Sequence, residues 1–346
     1  MDIEQEITRQ QEYFAGLDSY FKYFSDQEGV IEGIFKSHKI RFTQPRALND
    51  PLEFYPTIHF HDNVNSHRAY NLNGNIFPSD EFFYRIQIIE SQINSYGILS
   101  LTRLPDSFDM WSQYANGHRG FVIEFKNDFN HHLLLKPKEG DPYPIKKVEY
   151  VEDYSINLES LMGTDRYVVK EDVHNKLFFE KTSRWNYEHE YRMVRPLTDH
   201  PNYKPPEMPY SYTDTKLYLF PFDPTVISTI ILGANMSPEN RALIMRFCDE
   251  NNIGCWQAHI IRNSKDRFGK PGTIYLLPVS AFVSNDSYQQ VKHQLFCTDT
   301  LKLSHTNNNI QIKNITDLPY YKGYEEVVNQ FYRNSTANSE NHPECS

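Results

Sequence analysis

Apolar positions along the chain follow two rhythms: short runs of β-favouring residues, and stretches with apolar residues three and four apart. Residues 20–24, Tyr-Phe-Lys-Tyr-Phe, are dense in aromatics and predict a first buried strand. Val30, Ile31, Ile34 and Phe35 form the apolar stripe of a following helix. Residues 39–43 alternate as a short strand that Pro45 must end. Asn49-Asp50-Pro51-Leu52-Glu53 reads as a turn, because Asn and Asp side chains bond the local backbone just ahead of proline; Asp50 and Glu53 take turn and helix-cap roles by default. Asn-rich residues 62–78 read as a loop and 81–95 as helical in period. Then come a strand at 98–101 launched by Gly97, a short helix at 109–115 with Trp111 and Tyr114 one turn apart, and strands at 120–125 and 147–151. A helix is predicted over 165–182, and a strand by alternation over 188–194, ending before Pro196. Apolar residues 226–232 form a strand closed by Gly233, and Ser237-Pro238 open a helix with its body at 241–251. Late strands are expected at 256–262 and 273–279.

This order predicts an α+β fold with a mixed, mostly antiparallel central sheet flanked by helices. Residues 1–19 are a polar helical lead-in, 20–283 the main domain, and 284–346 a polar extension whose last residues read as disordered. Aromatic residues make up 14% of the chain, which argues for a real core. The net charge of -10 supplies no global field for nucleic acid. Four scattered cysteines (Cys248, Cys255, Cys297, Cys345) suit free thiols rather than a disulfide framework or a zinc site. The N-terminus has no apolar run and no stretch approaches the ~18 apolar residues of a membrane span. A cytoplasmic protein with no membrane association is therefore expected.

The densest chemistry is Trp185-Asn186-Tyr187-Glu188-His189-Glu190-Tyr191-Arg192. On a strand Glu188, Glu190 and Arg192 project from one face, the carboxylates roughly 7 Å apart, while His189, Tyr191 and Met193 turn to the core. Such a pair can steer a proton, and each carboxylate raises the other's pKa. Lys181, Arg184, Arg192 and Arg195 crowd this segment and could guide an anionic acceptor. A second cluster holds Ser100, Thr102 and Arg103 on one strand and its end, then Trp111 and Tyr114 as a possible stacking wall. Next comes a glycine-flanked His118-Arg119, suited to close backbone approach and to a phosphate. Lys22, with Tyr23 beside it, sits inside an aromatic strand and must leave the sheet or meet an anion; Arg41 raises the same question. Glu124-Phe125-Lys126, with Asp106 or Asp109 upstream, matches the carboxylate-x-lysine pattern of metal-dependent nucleases, which would hold Mg²⁺ and a water.

The aromatic strand with its lysine, Asn49-Asp50-Pro51-Leu52-Glu53, Met110-Trp111 with Tyr114-Ala115, His118-Arg119-Gly120, Trp185 to Arg192, and Ile230-Ile231-Leu232-Gly233 followed by Ser237-Pro238-Glu239 occur here in one order. Together they resemble the bacterial domain-of-unknown-function 2971 family over roughly residues 20–260. The arrangement is also similar to the ADP-ribosyltransferase superfamily: a basic first strand, a hydroxyl-bearing strand, and a Glu-x-Glu strand. That resemblance implies an ADP-ribosyltransferase-like sheet with NAD as co-substrate and no metal. Catalytic Glu190 would be aided by Glu188, with Lys22 and Tyr23 at the first position and Ser100 and Thr102 at the second. Lys22, Arg103 and Arg119 would serve the diphosphate, His118 would belong to the cofactor-binding set, and Trp111 and Tyr114 would stack on a ring. Lys22 replaces the superfamily's Arg or His, and no clean Ser-Thr-Ser is present. The activity implied is ADP-ribosyl transfer to a protein or nucleic acid, as a bacterial toxin or anti-phage defence effector with a neutralising partner protein. The alternatives are a metal-dependent nuclease using Asp109, Glu124 and Lys126, and a non-catalytic interaction module.

Overall fold

The structure, a computed structural model, describes residues 3–50, 53–54, 56–59, 93–133, 143–157, 171–204, 217–265, 269 and 271–278. The expectations for residues 62–78, 81–92, 165–170 and 284–346 lie outside these. At the centre is an eight-stranded sheet. Its strands are β1 (Ser19–Phe24), β2 (Tyr96–Thr102), β3 (Phe121–Lys126), β4 (Ile145–Lys147), β5 (Glu190–Pro196), β6 (Ile227–Leu232), β7 (Gly254–Lys265) and β8 (Pro271–Pro278). Across the sheet they run β8-β7-β6-β3-β1-β2-β5-β4, antiparallel throughout except for the parallel pair β6–β7. The fold is α+β with a mixed, mostly antiparallel sheet.

Both faces of the central strands are covered, which is why β3 and β6 read as nearly continuous apolar runs rather than alternating ones. Phe121, Ile123 and Phe125 of β3 enter one core with Ile31, Ile34 and Phe35, and with Ile244 and Phe247 of the helix Pro238–Asn251. Val122 enters the other core with Phe14, Trp111 and Trp256. Ile31 ends a short α-helix, Glu28–Ile31, that continues as a π-turn over Glu32–Lys36, in which Ile34 and Phe35 are buried. The Pro238–Asn251 helix opens as its sequence requires: the Ser237 hydroxyl accepts from the Asn240 amide, with proline at the first position.

The N-terminal helix, Ile3–Gly16, is docked on the sheet rather than merely leading into it. Phe14 packs edge-on against Phe21 and Trp256. The buried Gln10 amide donates to the Leu276 carbonyl at 2.6 Å and accepts from the Leu276 amide at 2.9 Å, imitating a strand neighbour for β8.

Three expected elements have different bounds. The strand expected over 188–194 begins only at Glu190, because Ser183–Glu188 is a 3-10 helix closed by His189 in the left-handed conformation at φ 45°. The helix expected to reach residue 182 ends at Phe179; Glu180–Thr182 is instead extended and pairs in parallel with Glu149–Val151. The strand expected over 147–151 splits at Val148, whose amide donates to the Glu190 carbonyl at 2.9 Å. Among the described residues no helix is long and apolar enough to cross a membrane.

Candidate functional site

The site is made by a parting in the sheet. β1 pairs with β3 along its whole length, from Ser19↔Lys126 to Phe24↔Phe121. On its other edge it meets β2 at one position, Phe21↔Thr102. Thr102 in turn lies opposite Glu190 of β5, so Phe21, Thr102 and Glu190 form one row across three strands. Beside this row opens a cleft of about 240 Å³, walled by Phe21, Lys22 and Tyr23 of β1 and by Ser100, Leu101 and Thr102 of β2. Lys22 spans the parting, its ammonium donating to the Ser100 carbonyl at 3.0 Å. Burial lowers the Lys22 ammonium to about 8, with Glu190 pulling it up and the charge of Arg41 pushing it further down.

The opposite wall is a buried ion network. Arg192, with no solvent exposure, donates to Glu190 Oε1 and Oε2 at 2.9 Å each, to Glu53, and to the Phe178 carbonyl at 2.7 Å. Lys181 Nζ lies 2.6 Å from Glu188 Oε2, 3.1 Å from Glu190 Oε2 and 3.7 Å from Glu53 Oε2. One ammonium thus reaches both carboxylates of Glu-x-Glu. It does so because the 3-10 turn and left-handed His189 fold Glu188 back, and because the Thr102 hydroxyl donates to the Glu188 carbonyl at 2.7 Å. Three carboxylates (Glu53, Glu188, Glu190) share two cations (Lys181, Arg192), and the Tyr114 hydroxyl donates to the remaining Glu188 oxygen. Burial, and next the charge of Glu190, raise the Glu188 carboxyl above its ordinary range against the pull of Lys181. Burial opposes the Lys181 charge, yet Glu190 and Glu188 hold its ammonium above the usual lysine range.

Among the expected site residues, Lys22, Tyr23, Ser100, Thr102, Tyr114, Glu188 and Glu190 all line the cleft. Others do not. Arg103 turns to the far side, donating to the Leu17 carbonyl and Asp18 and stacking over Tyr20 at 4.1 Å. Trp111 is fully buried core, its indole N–H given to the Pro105 carbonyl. His118 stacks on Trp111 and meets Ser112 at 3.1 Å, burial lowers its pKa, and it does not line the cleft. Arg119 is exposed and folded onto Asn116. The close approach that the glycines near His118 permit is to backbone, since a Cβ on Gly120 would strike the Phe24 carbonyl. The basic surround of Glu188 is likewise mostly consumed: Lys181 and Arg192 are paired inside, and Arg195 packs between Phe42, Phe220 and Tyr143 with Asp199. Only Arg184 of the four is exposed, 3.7 Å from Asp50. Asp109, Glu124 and Lys126 lie away from this cleft; Glu124 accepts from Ser19 at 2.8 Å and Lys126 donates to the Thr225 carbonyl. Among the described residues no three His, Cys, Asp or Glu side chains are grouped to hold a metal ion.

Met110, Tyr114, Lys181, Trp185, Glu188 and Glu190 all line the cleft. Residues 110–193 match the family described as protein of unknown function, DUF2971. No curated protein and no solved structure matches the chain. The DUF2971 segment carries Tyr114, Lys181, Glu188, Glu190 and Arg192, which is the acidic wall. Lys22, Arg41, Glu53, Ser100 and Thr102, which also line the cleft, precede it.

From sequence, Glu53 is expected as a turn or helix-cap residue and Arg41 as a cation that must leave the sheet or meet an anion. Glu53 sits in the network because its turn, closed by its own amide to the Asp50 carbonyl at 3.2 Å, points the side chain inward. Arg41 lies on a strand, Lys39–Phe42, that pairs with Tyr218–Pro221 outside the main sheet and brings the guanidinium to the cleft. Trp185 also lines the cleft, and its indole N–H is buried without an acceptor among the described residues.

Proposed function

We propose that the chain transfers ADP-ribose from NAD to a macromolecular acceptor, with the cleft between β1 and β2 as its active site. The observation that carries the reading is the row Phe21–Thr102–Glu190. The three motifs on which the ADP-ribosyltransferase resemblance rests are far apart in sequence, yet they occupy three neighbouring strands around one cleft. That volume is below the roughly 300–1,000 Å³ of pockets that enclose a drug-sized ligand, which suits one end of a dinucleotide. Bound there, NAD would supply an electrophilic ribose carbon with nicotinamide as leaving group. Glu190, oriented by Arg192 and Lys181, stabilises positive charge developing at that carbon. Glu188 takes the proton of the attacking acceptor, and Tyr114 and Lys181 fix its carboxyl for the purpose.

One observation favours the interaction-module reading: every oxygen of Glu190 is already engaged by buried cations. The two separate on NAD turnover. Purified protein is incubated with labelled NAD and cell lysate, with and without EDTA, beside Glu190→Gln and Glu188→Gln variants shown by melting to be folded. Nicotinamide release and label transfer that resist EDTA and disappear in both variants are the expected result. No turnover by the wild type, or full turnover by both variants, would overturn the proposal.

A further inference from the structure

The cleft is electrically lopsided. Its acidic side is internally paired, whereas the cations of the other side, Lys22 and Arg41, have no carboxylate bound to them among the described residues. Lys22 spends one of its three N–H donors on the Ser100 carbonyl, leaving two. Arg41 is half-buried at the cleft, and its strand pairing with Leu219 involves backbone alone. The two cations are near enough to repel each other. Glu190 attracts Lys22 without hydrogen-bonding it, and two like charges, partly stripped of water and facing the same space, favour a further anion between them. A guanidinium and an ammonium side by side match an anion that presents several oxygens over more than one charge, a diphosphate rather than a carboxylate.

We propose that Arg41, together with Lys22, forms the diphosphate-binding wall of the cleft, receiving a ligand whose hydroxylated end meets Glu188 and Glu190. The inference deepens the transferase reading by assigning the anion subsite to a residue outside the Glu-x-Glu motif and outside the DUF2971 segment. It also replaces Arg103 and Arg119, which the fold turns elsewhere.

The test is calorimetric titration of the full chain with inorganic pyrophosphate and with ADP-ribose, for wild type, Arg41→Gln, Arg41→Lys, Lys22→Met and the surface control Arg119→Gln. Arg41→Gln is expected to weaken both ligands by about tenfold or more, the loss of a charged hydrogen bond. Arg41→Lys should recover part of this and Arg119→Gln should match wild type, each variant being shown by its melting transition to be folded. Binding of pyrophosphate that depends on Arg41 without any NAD turnover would uphold the anion wall while sinking the transferase. NAD turnover with an Arg41→Gln KM equal to wild type would do the reverse. Failure of wild type to bind either ligand, or equal loss in Arg119→Gln, would overturn the inference.

Discussion

Replacing Arg192 by Met tests whether the buried network holds the site together. The guanidinium has no solvent exposure and makes four donor contacts, two to Glu190, one to Glu53 and one to the last turn of the helix Glu171–Phe179 through the Phe178 carbonyl. Methionine fits the volume but leaves Glu53, Glu188 and Glu190 facing the single ammonium of Lys181. Breaking a buried ion pair from one side costs roughly 3–5 kcal/mol, a large share of the ~5–15 kcal/mol by which domains are stable. At about 2–4 °C per kcal/mol the melting temperature should fall by roughly 6–20 °C. The assay is thermal and urea unfolding of wild type, Arg192→Met, Glu53→Gln and the double variant at pH 7. The two single changes should be strongly non-additive, with a coupling of about 1–3 kcal/mol, because each removes the same contact. A melting temperature within about 2 °C of wild type for Arg192→Met, or additivity within roughly 0.5 kcal/mol, would refute the network as described.

Further outcomes follow from other parts of the fold. Lys22 has its ammonium lowered to about 8 from the ordinary 10.5, so the folded state releases this proton first. The cost of burying its charge is therefore present in full below about pH 8 and fades as pH rises towards 10.5; stability should climb over that window, and the climb should vanish in Lys22→Met by urea titration at pH 7.5 and 9.5. The sign is opposite for binding: pyrophosphate affinity should fall as pH passes 8, and Lys22→Met should flatten that profile. Gly120→Ala, whose new methyl would meet the Phe24 carbonyl at the end of β1, should lose about 2–3 kcal/mol in urea unfolding. Gln10→Ala unpairs the Leu276 amide and carbonyl, costing about 1–3 kcal/mol, and should show first as faster hydrogen exchange at Leu276.

The elements were legible wherever one local rule decided them. The aromatic run of β1, the Ser237-Pro238 helix start and the apolar run of β6 all appear where periodicity and capping place them. The acidic pair was legible as chemistry but not as geometry: alternation put Glu188 on the strand, whereas His189 at φ 45° takes it into a 3-10 turn and still returns it to Glu190. What joins the site is non-local. Nothing in residues 19–24 or 96–102 announces that β1 and β2 meet at one position and then part, and the cleft is made by that parting. Glu53 looked like a turn residue because a turn is what its neighbours build; only its partner Arg192, distant in sequence, makes it part of the network. Arg103 shows the converse, a cation in a promising motif that the strand end directs onto Tyr20 and Tyr191.

A crystal structure with a non-hydrolysable NAD analogue is the sharpest test of the proposal that NAD occupies the cleft between β1 and β2. The ribose of the nicotinamide end is expected within hydrogen-bonding reach of Glu188 or Glu190, and the diphosphate against Lys22 and Arg41. An analogue seated elsewhere on the protein, or failing to bind at millimolar concentration, would contradict it.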